Sequence, residues 1–277
     1  MIQTRAMLAR LSISQWTARK YDKSVSSEVE KAHAAHDAGR FNKLLVDKKL
    51  LDPIAKLAGE VRTYHYSVTL PWTDAGDRLL PSILFMDYTT KIRKYRDAFN
   101  QLVSDLIAKY PTEVQAARNR LGTMYVATDY PDVSELRSRF AIEIEFVPVP
   151  DAKDFRVDVS NEAAEEIKEN ITKSVEARQA QAVRDCYRRV HDVVSKIYER
   201  LSDEKAVFKD SLIKNASDLM SVLPGLNITN DPELTALHTE ITAMLQVTPK
   251  QLRENFQARK ATADAADAVL AKLSWTN

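Results

Sequence analysis

Cysteine is all but missing from this sequence: Cys186 is the single one in 277 residues. One thiol cannot close an intramolecular disulfide, so the core alone must hold the fold, and a reducing compartment suits it. Glycine is scarce as well. The five, Gly39, Gly59, Gly76, Gly122 and Gly225, are scattered, whereas a phosphate-cradling loop needs glycines close together so that backbone N–H groups reach the anion. That excludes the dinucleotide and P-loop patterns and NTP hydrolysis by that route. Neither sign of charge dominates. The 40 Lys and Arg against 39 Asp and Glu leave +1, too little for a global field that recruits DNA or an acidic membrane. Long hydrophobic runs are absent too: no stretch of about 18 apolar residues occurs, and the opening MIQTRAMLARLSIS lacks the continuous apolar segment of a signal peptide. The expectation is a cytoplasmic protein without membrane contact, in which the sequons at Asn170, Asn215 and Asn227 stay unglycosylated.

What is present is an ordinary globular composition. A hydrophobic fraction of 44% with 29% charged residues excludes a wholly disordered chain. At this length a compact chain buries roughly 70–75% of its unfolded surface and needs no staple. Period-two alternation marks strands in RLSISQW, where Leu11 and Ile13 oppose Ser12 and Ser14, and in YHYSVTL, residues 64–70. TLPWTDAGDRLLP then reads as a reversal, with Asp74 and Gly76 as turn residues. In FAIEIEFVPVP, Ile142, Ile144 and Phe146 oppose Glu143 and Glu145. FRVDVS, residues 155–160, reads as its hairpin partner with Arg156 facing the glutamates. A helical region, 26–62, is broken near Gly39 and Pro53.

Two longer patterns stand out. Phe85, Tyr88, Ile92, Tyr95, Phe99, Leu102 and Leu106 recur at threes and fours, a helical packing seam. From Asn161 roughly forty residues lack proline and glycine, which at 1.5 Å per residue is a helix on the order of 60 Å long. Ser160 or Asn161 caps it, and its stripe runs through Ile167, Ile171, Val175, Val183, Tyr187, Val190, Val194, Ile197 and Leu201. A stripe of that length needs a helical hairpin or another subunit to cover it. Further helices are expected at 205–222, 232–245 and 249–273, the last with Thr248 as cap and Pro249 in its first position. The expected class is α+β: a small, mostly antiparallel sheet covered by helices over residues 1–160, then a long-helix and helical region over 161–277.

Few constellations carry chemistry. Glu30, His33 and His36 are spaced by threes, half of a di-iron carboxylate signature whose second half the chain lacks. A solvated helix face is the simpler reading, and no metal or cofactor is expected. Cys186 sits on the long stripe without an activating base, as a structural cysteine does. Lys91, Arg93, Lys94 and Arg96 fall within six positions, and Arg184, Arg188, Arg189 and Lys196 form a second basic group. Each is either a solvated helix back or a nucleic-acid contact; a groove built jointly from Arg93, Lys94, Arg96, Arg188 and Arg189 distinguishes the two.

The succession RTYHYSVTLPW, RLLP, LGTMYVATDYPDVSELRSRF and FVPVPDAKDFRVDVS resembles an uncharacterised family of tailed-bacteriophage and mobile-element proteins, often encoded near a MoxR-type AAA+ ATPase and a von Willebrand A-type protein. The resemblance covers most of the first 170 residues and implies a bacterial host cytoplasm and an AAA+ ATPase as partner, with no catalytic residues. The leading expectation is a non-enzymatic scaffold or adaptor that self-associates through Phe85, Tyr88, Ile92, Tyr95, Phe99, Val190, Val194 and Ile197. The alternative is a nucleic-acid-binding protein using Lys91, Arg93, Lys94, Arg96, Arg188 and Arg189. A third reading, an enzyme centred on Glu30, His33 and His36, ranks last.

Overall fold

The computed structural model describes residues 2–154 and 160–273. The elements run β1 (Ala6–Ser14), β2 (Arg19–Tyr21), α1 (Lys23–Ala32), β3 (Asn42–Leu44), α2 (Lys48–Ser67), β4 (Leu70–Pro71), β5 (Asp77–Pro81), α3 (Phe85–Leu121), α4 (Val133–Ser138) and β6 (Ala141–Pro148). Then come α5 (Asn161–Ser202), α6 (Ser211–Leu226), α7 (Pro232–Met244), α8 (Pro249–Glu254) and α9 (Phe256–Leu273). Four strands form a small antiparallel sheet in the order β4-β5-β1-β6, and β2 pairs with β3 separately. The class is α+β, as the alternating and helical patterns imply.

The reversal at residues 69–81 is a hairpin. Leu70 faces Leu79 and Pro71 faces Arg78, while Gly76 takes a φ of +101° that side chains avoid. On the other side of β5, Ala6 pairs with Pro81 and Arg10 with Asp77. Arg10 ion-pairs with Asp77 at 2.8 Å and also reaches Glu145 of β6 at 3.3 Å. The expected hairpin partner at 155–160, with Arg156 facing Glu145, lies outside the described residues but for Ser160.

Residues 64–70 differ from the sequence expectation: α2 continues to Ser67, and only Leu70 and Pro71 are extended. The reason is a helical stripe. Ile54, Ala58, Val61, His65 and Val68 recur at fours and threes, and all are buried, so the helix buries more than a strand there would. Pro53 does not break this helix but lies inside it. Pro224 and Gly225 likewise close the last turn of α6 rather than preceding a loop. Proline removes the N–H that the carbonyl four residues back would accept; at Met220 that carbonyl is met by His238 Nε2 at 3.1 Å. The expected helix at 249–273 is two, parted at Asn255, whose Oδ1 accepts from Ala258 N–H at 3.1 Å.

Packing groups residues 1–10, 64–88 and 145–277 into one unit, and 11–63 and 89–144 into another. The expected division at 160/161 follows the chain; the units follow space, and β4, β5 and the first half of β1 belong with the helical part. In this larger unit α5 packs most extensively on α9, and also on α6 and β4. Its core joins Val190, Val194, Ile197 and Leu201 with Ala263, Ala266 and Val269 of α9 and Met220 and Leu223 of α6. The alanines let α9 lie close. Arg259 of α9 donates to the carbonyls of Arg200 and Leu201 and to those of Asp203 and Ala206 beyond them, satisfying acceptors that a helix end leaves open.

In the smaller unit Trp16 meets Tyr110 edge-on and Phe99 meets Phe140. Lys43 is buried there, 2.8 Å from Asp129 and 3.4 Å from Asp22, and donates to the Met124 carbonyl. Burial opposes its charge, but the hydrogen bonds and charges of Asp129 and Asp22 outweigh it and hold the ammonium pKa above its usual value.

Candidate functional site

The two seams expected to join copies of the chain are filled from within. Tyr88 is 1% exposed, and Ile92, Phe99, Val190, Val194 and Ile197 are also buried, with Phe85 and Tyr95 half-buried. Six of the eight side chains are thus packed inside one chain, and on α5 the stripe is met by the hairpin-like alternative, α9 and α6 of the same chain. The distinction rests on geometry, because a core stripe and an interface stripe have the same period.

Of the six residues expected to touch nucleic acid, two tie elements together and a third pairs along its own helix. Arg96 Nε donates to the Ile142 carbonyl at 3.2 Å. Arg189 donates to the carbonyls of Ser67 and Thr69 and, at 2.7 Å, to Asp185. Arg188 binds Asp185 and Asp192. Lys91 lies over the ring of Tyr95 at 5.2 Å, and Arg93 and Lys94 are exposed.

The metal candidate does not assemble on one helix face, because α1 ends at Ala32. His33 is its cap, Ala34 and Asp37 take positive φ, and Glu30 accepts from the Asp37 N–H. No group of three metal-binding side chains occurs among the described residues. Cys186 is buried, its thiol directed at the Leu226 carbonyl, and burial pushes its pKa up to about 12. That holds it as thiol, not as a nucleophile.

One feature the sequence pattern did not single out is the entry to α3. A turn of 3-10 helix, Ser82–Leu84, runs into α3. Leu84 points inward, so close to Gly225 that a Cβ there would meet it at 2.7 Å. Phe85 meets Phe146 edge-on at 5.2 Å. Ile83 and Met86, one turn apart, are 77% and 70% exposed. A helix entry normally turns such residues inward; here the inward side is already taken by Leu84 and Tyr88.

The second feature is a cavity of about 520 Å3 beside α5, lined by Pro71, Leu273 and the α5 residues Gln181, Arg184, Asp185, Tyr187, Arg188 and His191. Gln181, Arg184, Arg188 and His191 succeed each other by three, four and three, one strip of the helix. Asp185 is 9% exposed and anchors Arg188 and Arg189. Arg78 of β5 belongs to the same group: it donates to the hydroxyl and carbonyl of Thr69 and stacks on Tyr66 at 4.7 Å. Burial, and then the neighbouring Arg189 charge, lower the Arg78 pKa from its ordinary value. Tyr187 lends its ring to the wall while its hydroxyl donates to Asp231 at 2.9 Å; burial and that carboxylate raise its pKa. The basic α5 residues were legible, but Pro71 and Leu273, about two hundred positions apart in the sequence, carry no shared signal.

Comparison of the chain with protein-family models, curated proteins and solved structures gives no match.

Proposed function

We propose that the protein is a non-enzymatic scaffold or adaptor of the bacteriophage or mobile-element kind that its sequence resembles, working through protein partners. The observation that carries this reading is the α3 entry. Large apolar side chains left in water singly are ordinary, but Ile83 and Met86 stand together beside an aromatic pair, on a turn seated by the Leu84–Gly225 contact. Apolar side chains grouped in this way mark places where proteins meet. Methionine and isoleucine on a fixed turn present a small anchor for a hydrophobic groove. The buried seams leave self-association to this surface, and the resemblance names an AAA+ ATPase as the other partner class.

The test is light scattering coupled to gel filtration, on the protein alone and mixed with a MoxR-type AAA+ ATPase of the class the resemblance implies, for the wild type and the double variant Ile83→Glu, Met86→Glu. A self-associated or mixed complex that the double variant abolishes supports the reading. A wild-type protein that remains monomeric in both samples, or complexes indifferent to the substitutions, refutes it. Both side chains are exposed, so the variant keeps its fold, which circular dichroism checks.

A further inference from the structure

The strip on α5 has more positive charge than the fold uses. Around it stand four guanidiniums, Arg78, Arg184, Arg188 and Arg189, and four carboxylates, Asp185, Asp192 and, on the Tyr187 hydroxyl, Asp231 and Glu233. Arg189 and Arg78 are committed to the carbonyls of residues 67 and 69. Arg188 is shared between the carboxylates, and Asp185 also serves Arg189. Arg184 has no ion-pair partner among the described residues, and it lines the cavity. Arg184 is therefore an unpaired cation at the wall of an open space.

We propose that this cavity binds a phosphate monoester carried on a small, partly apolar body, a ligand of the mononucleotide class. Three observations converge on it. A monoester carries about −1.5 to −2 charges at pH 7 and so gains more from an unpaired guanidinium than a carboxylate or a phosphodiester, which carries one. The unused fork of Arg184 offers parallel donors of the kind that pair bidentately with phosphate oxygens, with Gln181 one turn before it and His191 two turns after it along the strip. The opposite character of Pro71, Leu273 and the Tyr187 ring supplies apolar surface for a ring or chain, and about 520 Å3 lies within the range of small-molecule sites. Asp185 positions Arg188 and faces the same space, so the site favours an anion seated toward Arg184 and away from the carboxylate.

The experiment is isothermal titration calorimetry of the full chain with adenosine 5′-monophosphate, inorganic phosphate, adenosine, and an oligonucleotide with and without a 5′-phosphate. Wild type, Arg184→Gln and, as a control for charge alone, Lys196→Gln on the same helix outside the cavity are compared. The expected result is binding of the monophosphate, none of adenosine, and an affinity about tenfold weaker in Arg184→Gln with Lys196→Gln unchanged. Inorganic phosphate binding with the same Arg184 dependence supports the anion site and shows that the body adds little. Three results overturn the proposal: no heat with monophosphate or phosphate up to about 1 mM, equal affinity in Arg184→Gln, or binding of the unphosphorylated oligonucleotide in place of the monophosphate. Arg184 is exposed and supports no other group, so its substitution leaves folding intact. The result is independent of the partner assay, because the α3 entry lies in other residues.

Discussion

Replacing Gly225 by alanine is expected to loosen the seat of the α3 entry. In most helices this substitution stabilises by up to about 1 kcal/mol, because alanine loses less backbone entropy. Here the added Cβ would lie 2.7 Å from Leu84 Cδ2 and 2.8 Å from its Cγ, where ordinary contacts begin at 3.4 Å. The Cγ is not a free end that swings aside; to clear it the Leu84 side chain and its 3-10 turn must shift. Overpacking of this kind costs about 1–3 kcal/mol, so the net is a loss of up to about 2 kcal/mol. At roughly 2–4 °C per kcal/mol for chains of this size, calorimetry should record a melting temperature lower by up to about 8 °C. The Leu84→Ala background removes the obstructing carbons, and there Gly225→Ala should stabilise, giving a coupling of about 2 kcal/mol between the two sites. A rise in melting temperature on the wild-type background, or the same effect on both, would refute the reasoning.

His65 gives a pH signature. It is 2% exposed, with Nδ1 2.8 Å from the Tyr88 hydroxyl, and burial, then the Arg78 charge, push its pKa down to about 4. The unfolded chain takes up that proton near pH 6.5, so the stability His65 confers is complete above that value and is lost as pH falls from about 6.5 to about 4. Between pH 7 and 5 the loss is about 2 kcal/mol, and denaturant melts of His65→Gln against wild type should show the dependence only in the latter; parallel curves would exclude it. Cys186 should resist a thiol reagent in the folded protein at pH 8 and react with about one equivalent once denatured, followed by absorbance; prompt labelling of the native protein would contradict its burial.

Much of the architecture was legible where one period dominated. Leu11 and Ile13 announced β1, Gly76 the β4–β5 turn, and the proline-free run after Ser160 the helix α5 with its cap, where Ser160 Oγ accepts from the Ala163 N–H. Residues 64–70 failed because two periods overlapped: Tyr64, Tyr66 and Val68 alternate, while His65 and Val68 also complete the stripe begun by Ile54, Ala58 and Val61. Counting histidine as polar hid the second pattern, and burial against Tyr88 decided for it. The seams were read correctly as apolar, yet period carries no information on which chain supplies the cover. The basic strip was visible as a cluster, but its split into structural and unused arginines depends on carbonyls at residues 67 and 69 and on a carboxylate one turn away.

The grouping of residues has a consequence for the order in which the protein can be completed. Every residue of the smaller unit has been made once synthesis passes Ile144, so that unit can close early. The larger one takes in Ala6–Arg10 from the start of the chain and α9 from beyond residue 255. Its core lacks Ala263, Ala266 and Val269 until then, and the carbonyls at the end of α5 wait for Arg259. At about 5–20 residues per second, the first strand emerges many seconds before the helix that finishes the core it belongs to, and from the completion of α5 until α9 follows, the apolar stripe of α5 is a newborn surface without its lid.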